Sequence, residues 1–308
     1  DQYSTFGGRV RTGNLNDQQG PHVTLGGNNG EFGLVQVGFE KLFYQYQIKG
    51  FKGWVGKNTI LMKKENELFW NDNVFPEGVA ASYRWNLEEK IINSFQINGG
   101  HYIIRSNNKT FSEDSYFQLV QLSTSHFKDK LSLYPGFYYF NNIGNFPDKQ
   151  ETYTLSYSIL HLGTKVDILQ RPKLSAGIDY YLNLQNYNRA DSIREELKDQ
   201  KNGWVLSLKL GQLNKKGDWQ AHLYYAHIEK YAIVDYFAQN DWARWDYSSV
   251  NASGARLSNF QGLEFRLGYA FKQKFNVILR AYKVEELIKL GNFKETGDRI
   301  RLDMNIGF

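Results

Sequence analysis

An alternation of apolar and polar residues with a period of two recurs along this chain from one end to the other. Because successive side chains of a β-strand point to opposite faces, this period indicates strands that are apolar on one face only. Fourteen segments carry it. Their spans are 3–12, 33–47, 51–57, 77–86, 91–105, 114–127, 131–141, 153–166, 173–185, 202–213, 218–229, 260–271, 275–287 and 298–308.

The connections between these segments alternate between short and long. The short ones are tight turns near residues 49–50, 86–90, 128–130, 167–172, 214–217 and 272–274. The long ones span residues 13–31, 58–75, 106–113, 142–151, 186–201, 230–259 and 288–297. Outer-membrane barrels have short periplasmic turns and long external loops. We therefore predict a single all-β domain over residues 1–308, a transmembrane antiparallel up-and-down β-barrel with fourteen strands in this chain.

The residue composition agrees with a barrel in a membrane. Phe, Tyr and Trp make up 16% of the chain, yet its mean hydropathy is negative. A barrel needs aromatic residues at both membrane interfaces and an apolar outer wall, while its lumen and loops stay polar. No run of roughly 18 apolar residues is present, which argues against a transmembrane helix.

Residue counts and spacing disfavour several other functions. Cysteine is absent, which removes thiol catalysis, thiolate metal sites and disulfides. The six histidines are scattered, so we expect neither a metal site nor a cofactor. The net charge of +5 is spread along the chain, which disfavours nucleic acid as a partner. No Ser, His and Asp set can be placed on one wall, so we expect no enzyme and rank a hydrolase third among the functions.

Residues 53–83 contain three motifs in sequence. They are Trp54-Val-Gly-Lys57, Trp70-Asn-Asp72 and Phe75-Pro-Glu-Gly-Val-Ala-Ala-Ser-Tyr83. Upstream lie Phe6-Gly-Gly-Arg-Val-Arg-Thr-Gly13 and Thr24-Leu-Gly26, and downstream lies the stretch from Gly254-Ala-Arg256 to Phe271. In these motifs the chain resembles the putative porin family of Gram-negative outer membranes over nearly its whole length.

The resemblance implies a bacterial outer-membrane protein, surrounded by lipid and lipopolysaccharide, through which small hydrophilic solutes pass. It also implies one more hairpin before Asp1, and so about sixteen strands in the complete protein. The last strand would then close on a strand outside this sequence, and otherwise it would pair with residues 3–12. No signal peptide opens the sequence, so we expect the export signal to lie before Asp1. Further copies of the chain or other outer-membrane proteins are the expected protein partners.

If the apolar strand faces meet lipid, the opposite faces line the lumen, where basic residues outnumber acidic ones by eight to four. The pore-lining candidates are Arg9, Arg11, Glu40, Arg84, Asp179, Lys209, Glu264, Arg266, Arg280, Arg299, Arg301 and Asp303. An Arg-rich lumen would hold a positive potential and favour anions. Alternatively, Arg and carboxylates such as Arg280 and Glu264 pair across strands and only brace the wall. The facing of strands 51–57 and 114–127 stays open, because their apolar residues fall on both parities.

Two long loops have compositions unusual for solvated connections. The loop 58–75 could fold into the pore mouth as a constriction, or it could cap the channel from outside. Its candidate residues are Lys63, Lys64, Glu65, Glu67, Trp70 and Asp72. The loop 230–259 is rich in Tyr, Phe and Trp, so it could stack on sugars, contact a neighbouring subunit or plug the barrel.

These patterns favour two functions. The first is a porin that gives passive diffusion to small hydrophilic solutes, with a mild preference for anions. The second is a barrel closed by its own loops, which serves as a subunit of a larger outer-membrane assembly.

Overall fold

A computed structural model describes residues 2–12, 37–87, 91–106, 110, 113–144, 154–239, 241–243 and 258–307. Within these ranges there are fifteen β-strands and two short 3-10 turns, Glu195–Leu197 and Asp235–Phe237. Neither of the helical turns described is long and apolar enough to cross a membrane. Several predicted features lie outside the described residues. They are the motifs Thr24-Leu-Gly26 and Gly254-Ala-Arg256, two aromatic residues of the loop 230–259 (Trp245 and Tyr247), and Phe308 at the end of the last predicted strand.

The strands are antiparallel neighbours in chain order. They are β1 (Ser4–Thr12), β2 (Val37–Ile48), β3 (Phe51–Lys57), β4 (Glu77–Asn86), β5 (Ile92–Arg105), β6 (Ser115–His126), β7 (Leu131–Leu133), β8 (Gly136–Gly144), β9 (Thr154–Gln170), β10 (Lys173–Asn183), β11 (Asn202–Gly211), β12 (Trp219–Ile228), β13 (Phe260–Lys272), β14 (Phe275–Glu286) and β15 (Thr296–Ile306). All of them belong to one sheet. The predicted all-β up-and-down fold is confirmed.

Two predicted boundaries need correction. The segment 131–141 is divided into β7 and β8, which both lie between β6 and β9. Pro135 stands at the break, where it has no N–H to give to a ladder. Beside the break, the ring of Tyr134 packs directly against Gly163. A Cβ at position 163 would lie 2.0 Å from the ring, so only glycine leaves room for it. The turn predicted at 167–172 is also shorter than expected, because β9 continues to Gln170.

The two faces of the sheet differ in character as the alternation predicts. On β10, Ser175, Asp179 and Asn183 are buried, whereas Ile178 between them is exposed. The exposed face carries large apolar side chains on almost every strand, including Leu302 of β15 at 61% exposure. Apolar side chains exposed in such numbers would be unfavourable in water, and they suit the hydrocarbon of a membrane.

The buried face of the sheet curves around the chain segment between β3 and β4. One residue of this segment, Phe75, lies under the guanidinium of Arg9 on β1 at 4.6 Å. Others are bonded to Asp179 on β10 and Lys209 on β11. Strands far apart in the sheet therefore surround the same segment, as the wall of a barrel does.

The first and last strands are the two ends of the hydrogen-bonded ladder. β1 pairs with β2 and β15 pairs with β14. Across the ranges listed above for the structure, no pairing joins β15 to β1. The pairing of the last strand with residues 3–12 is thus not found there, and the sixteen-strand form stays a prediction.

Candidate functional site

The connection between β3 and β4, residues 58–76, is here called the inner loop because it lies inside the curved sheet. Leu68, Phe69 and Trp70 are each at most 2% exposed. A loop with three consecutive large apolar residues gains burial by entering the barrel, at about 1.5–3 kcal/mol for each such side chain. The inner loop therefore crosses the interior, and it does not cap the barrel from outside.

One edge of the inner loop is held by β6. The backbone N–H of Lys63 donates to Gln121 Oε1 at 2.7 Å, and Gln121 Nε2 donates to the Lys63 carbonyl at 2.8 Å. Gln121 is fully buried, and its side-chain amide bonds to both the N–H and the carbonyl of Lys63, as the backbone of a neighbouring strand would. The Lys63 side chain lies beside this contact, and burial lowers its pKa.

A buried polar chain holds the centre of the inner loop. Asn66 Nδ2 donates to Asp179 Oδ2 at 2.7 Å, and His161 Nε2 lies 2.9 Å from Asp179 Oδ1. The hydroxyl of Tyr138 is 2.9 Å from His161 Nδ1 and also accepts from Gln121 at 3.1 Å. With the Nε2–H of His161 donated to Asp179, Nδ1 of the same ring is left to accept a hydrogen bond from the Tyr138 hydroxyl.

The chain Asp179, His161, Tyr138 brings a His and an Asp together on one wall, a contact that the sequence did not predict. The third member is a tyrosine instead of a serine, and Tyr138 is fully buried. The geometry is that of a structural anchor. Sequence reasoning missed it because the three residues lie on β8, β9 and β10 and share no local motif.

An ionic contact holds the inner loop to the opposite wall. Glu65 accepts from Lys209 Nζ at 2.9 Å and lies 3.7 Å from Lys165 Nζ. Within the loop, Lys64 pairs with Asp72 at 2.5 Å and also donates to the Trp70 carbonyl. Glu67 accepts from the backbone N–H of Asp72 at 3.3 Å. All six predicted constriction residues therefore belong to one ordered segment.

The connection after β12, residues 229–259, is here called the aromatic loop, and its described part also lies inside. Two backbone bonds join it to the inner loop: Asn71 N–H to the Phe237 carbonyl at 2.7 Å, and Gln239 N–H to the Glu67 carbonyl at 3.0 Å. The rings of Trp70 and Phe237 are stacked with centroids 4.7 Å apart. The two loops thus form one body across the interior.

Aromatic side chains of β6 and β8 continue this body to the wall. Phe117 stacks on Trp70 at 5.2 Å and on Phe140 at 4.2 Å. Because Phe117 and Leu119 point inward, the inner face of β6 is apolar at this level. This explains why alternation left the facing of 114–127 open. On β3, Trp54 is buried and Val55 faces outward.

Charged side chains of the wall and of the two loops form a repeated arrangement, here called the ion-pair network. Each of five carboxylates contacts two cations: Glu40 with Arg9 and Arg11, Glu65 with Lys165 and Lys209, Glu264 with Arg266 and Arg280, Asp303 with Arg280 and Arg301, and Asp241 with Arg299 and Arg301. Lys165 also lies 3.9 Å from Asp167. In this network eight cations meet six carboxylates.

Most predicted lumen residues therefore meet a partner of opposite charge. The suggested pair of Glu264 and Arg280 is present at 3.9 Å, and Arg266 lies nearer to the same carboxylate at 2.5 Å. Arg84 differs, because among the described residues its side chain bonds to the neutral side chains of Asn86 and Ser94 and to no carboxylate. The sequence did not predict a role for Asp241 of the aromatic loop. Its carboxylate lies 2.6 Å from the guanidinium of Arg301 and so holds that loop to β15.

Comparison with known proteins gives a family and several similar solved structures. The family described as putative porin matches residues 148–279. Two of these structures, OccK10 (OpdN) and OccK11 (OpdR) of Pseudomonas aeruginosa, are 13% and 10% identical to this chain, with TM-scores of 0.40 and 0.39. The matches cover 88% and 89% of this chain, and 81% and 80% of those chains. No curated protein matches the sequence. The predicted resemblance to the family is confirmed over the matched residues, and porins are channels of the bacterial outer membrane.

Proposed function

From the match of residues 148–279 to the putative porin family, we infer that this chain is an outer-membrane porin for small hydrophilic solutes, with a mild preference for anions. Its apolar outer face would contact lipid and lipopolysaccharide, and further copies of the chain are candidate partners. The inner loop would be the constriction, and the pore would be lined by the twelve residues predicted from the sequence, most of which belong to the ion-pair network. No catalytic step is part of this proposal.

The anion preference rests on one observation, the excess of cations over carboxylates in the ion-pair network. A carboxylate between two cations leaves net positive charge at that point of the wall. Arginine supplies six of the eight cations of the network, and it stays charged at any physiological pH. The pairing also braces the wall, so the expected preference is mild.

The reversal potential in a salt gradient tests this preference. We expect purified protein in planar bilayers to favour chloride over potassium, most clearly at low ionic strength where charges are screened least. The double variant Arg299→Gln, Arg301→Gln should lose part of the preference. Arg171→Gln, which removes an exposed cation in a short turn, should keep it. Cation selectivity in the unmodified protein would contradict the anion proposal.

The second function, a closed barrel within a larger assembly, is favoured by the bonded contact of the two loops. Two backbone hydrogen bonds and the Trp70–Phe237 stack join segments from different connections. If this body closes the lumen in the membrane, the folded protein will show no conductance steps. That result would remove the porin proposal and favour the assembly subunit.

A further inference from the structure

A polar cavity of about 580 Å³ lies between the inner loop and the wall formed by β4 to β7. This volume is in the range of small-molecule sites. The inner loop covers it with Ile60, Leu61, Met62 and Lys63. The wall residues lie toward the ends of β4 and β6 that lead into short turns, so the cavity is on the short-turn side of the inner loop.

The wall of the cavity is built from two cross-strand rows. In the first row Arg84 pairs with Gln96, which pairs with Ser123. In the second row Ser94 pairs with Ser125, which pairs with Ser132. Neighbouring strands are about 4.8 Å apart, so each row presents hydroxyl or amide groups at nearly regular spacing. Such spacing suits a solute that carries several hydroxyl groups.

Two cations of the cavity have no carboxylate partner. Over the described residues, no carboxylate oxygen lies within 4.0 Å of the charged nitrogens of Arg84 or Lys63. Arg84 donates to Asn86 Oδ1 at 3.0 Å and to Ser94 Oγ at 3.2 Å. Lys63 Nζ lies 5.5 Å from the centre of the Tyr134 ring. Both differ in this respect from the cations of the ion-pair network.

The remaining charge in the cavity is Asp129. Its carboxylate accepts from the Ser125 hydroxyl, which holds it at the turn after β6. By contrast, the hydroxyls of Ser123 and Ser132 have no protein partner in the part of the chain that the structure describes. Two cations, one carboxylate and free hydroxyls therefore leave the cavity with net positive charge and spare hydrogen-bonding groups.

We propose that this cavity binds a hydroxylated monocarboxylate of about the size of a hexuronate, with its carboxylate between Arg84 and Lys63 and its hydroxyls on the serine rows. The proposal rests on the porin function and names the class of solute that it would carry. Arg84 and Lys63 outweigh the single carboxylate Asp129, so the net positive charge of the cavity favours this anion over neutral and cationic sugars of the same shape. The apolar side chains of the inner loop cover the ring of the solute.

Three sugars of the same shape test the proposal: glucuronate, glucose and glucosamine. Binding to the full chain, folded in detergent, is measured by titration calorimetry. We expect glucuronate to bind more tightly than glucose, and glucosamine to bind most weakly. Equal affinity for glucuronate and glucose would overturn the proposal. A preference for glucosamine would also overturn it, because Asp129 would then dominate the cavity.

Variants locate the site. Arg84→Gln and Lys63→Gln should each weaken glucuronate binding about tenfold, since each removes one charge-assisted bond. Arg171→Gln should bind as the unmodified chain does. Unchanged affinity in both cavity variants would place the binding elsewhere and refute the assignment. The comparison of the three sugars needs no variant, so it stands even where a variant does not fold.

The pH dependence gives a second readout. Burial and the nearby cations Lys165 and Arg84 lower the pKa of Lys63, against the opposing effect of Glu65 and Asp129. Glucuronate affinity should therefore fall, as the pH rises, before the ordinary lysine pKa of 10.5 is reached. Lys63→Arg should keep its affinity over that interval. A fall that is the same in Lys63→Arg would show that another group titrates.

Conductance of the same protein in planar bilayers separates this proposal from the porin function. Channels that conduct while glucuronate and glucose bind equally would refute the cavity assignment alone. Absence of channels would refute the porin function, on which the transport of this solute depends.

Discussion

At the residue scale, the position of the inner loop depends on a few buried polar side chains. Asp179 is 2% exposed and accepts hydrogen bonds from both Asn66 and His161. In a low-dielectric interior such a group is favourable only when every partner is satisfied. The same residue therefore holds the loop and is costly to change.

We expect Asp179→Ala to destabilise the barrel and free the inner loop. His161 and Asn66 would each lose a buried acceptor, at roughly 1–3 kcal/mol for each unsatisfied group. Urea unfolding in detergent measures the stability, and protease cleavage between residues 58 and 76 measures the loop. Asp298→Ala, at an exposed position of β15, is the control and should match the unmodified chain. Equal stability of the two variants would show that Asp179 does not anchor the loop.

At the element scale, each strand is specified by its alternation and by the medium on its two sides. On β15 the side chains of Ile300, Leu302 and Met304 are exposed at 61–79% and point outward. Arg301 and Asp303, between them, point inward to the ion-pair network. The strand thus has an apolar face that points outward to lipid and a charged face that points into the barrel.

Arginine substitutions along β15 test the lipid face. Leu302→Arg lies near the middle of the strand and should cost about 2–4 kcal/mol, whereas Thr296→Arg at its end should cost about 0–1 kcal/mol. Reversible unfolding in lipid vesicles gives both values. Similar costs at the two positions would mean that β15 does not cross the hydrocarbon layer as assigned.

At the scale of the whole molecule, the interior is divided by the joined inner and aromatic loops. The Trp70 ring lies between Phe117 of the wall and Phe237 of the aromatic loop. Each such stack contributes about 0.5–1.5 kcal/mol beyond the area it buries. The free cross-section of the lumen is therefore set by side chains from three separate parts of the chain.

Removal of the central ring should open the lumen. We expect Trp70→Ala to raise the mean single-channel conductance and to lower the stability by about 3–5 kcal/mol. Trp85→Ala, which removes an exposed outer tryptophan, should leave the conductance unchanged. If Trp70→Ala conducts as the unmodified chain does, the ring does not lie at the narrowest point.

Alternation and loop lengths by themselves determined the strands, their order and the apolar outer face. The strands could be predicted because each is a local pattern whose period follows from backbone geometry, as in β3 and β4, where both bounds were correct. The motifs also led to the family that matches residues 148–279. The candidate lumen charges could be identified for the same reason, since parity places them opposite the lipid face.

Only the tertiary structure decided what fills the interior. Gln121 bonds to Lys63, 58 residues away, and Lys209 bonds to Glu65, 144 residues away. No local pattern specifies such contacts, because they depend on the curvature of the whole sheet. For the same reason the inward apolar face of β6 looked ambiguous, since its partner Trp70 is brought there by a distant loop. The alternation of a strand reflects the surroundings of its two faces. Inside this barrel the inward face contacts other segments of the same chain, and the strand's own sequence does not reveal which ones.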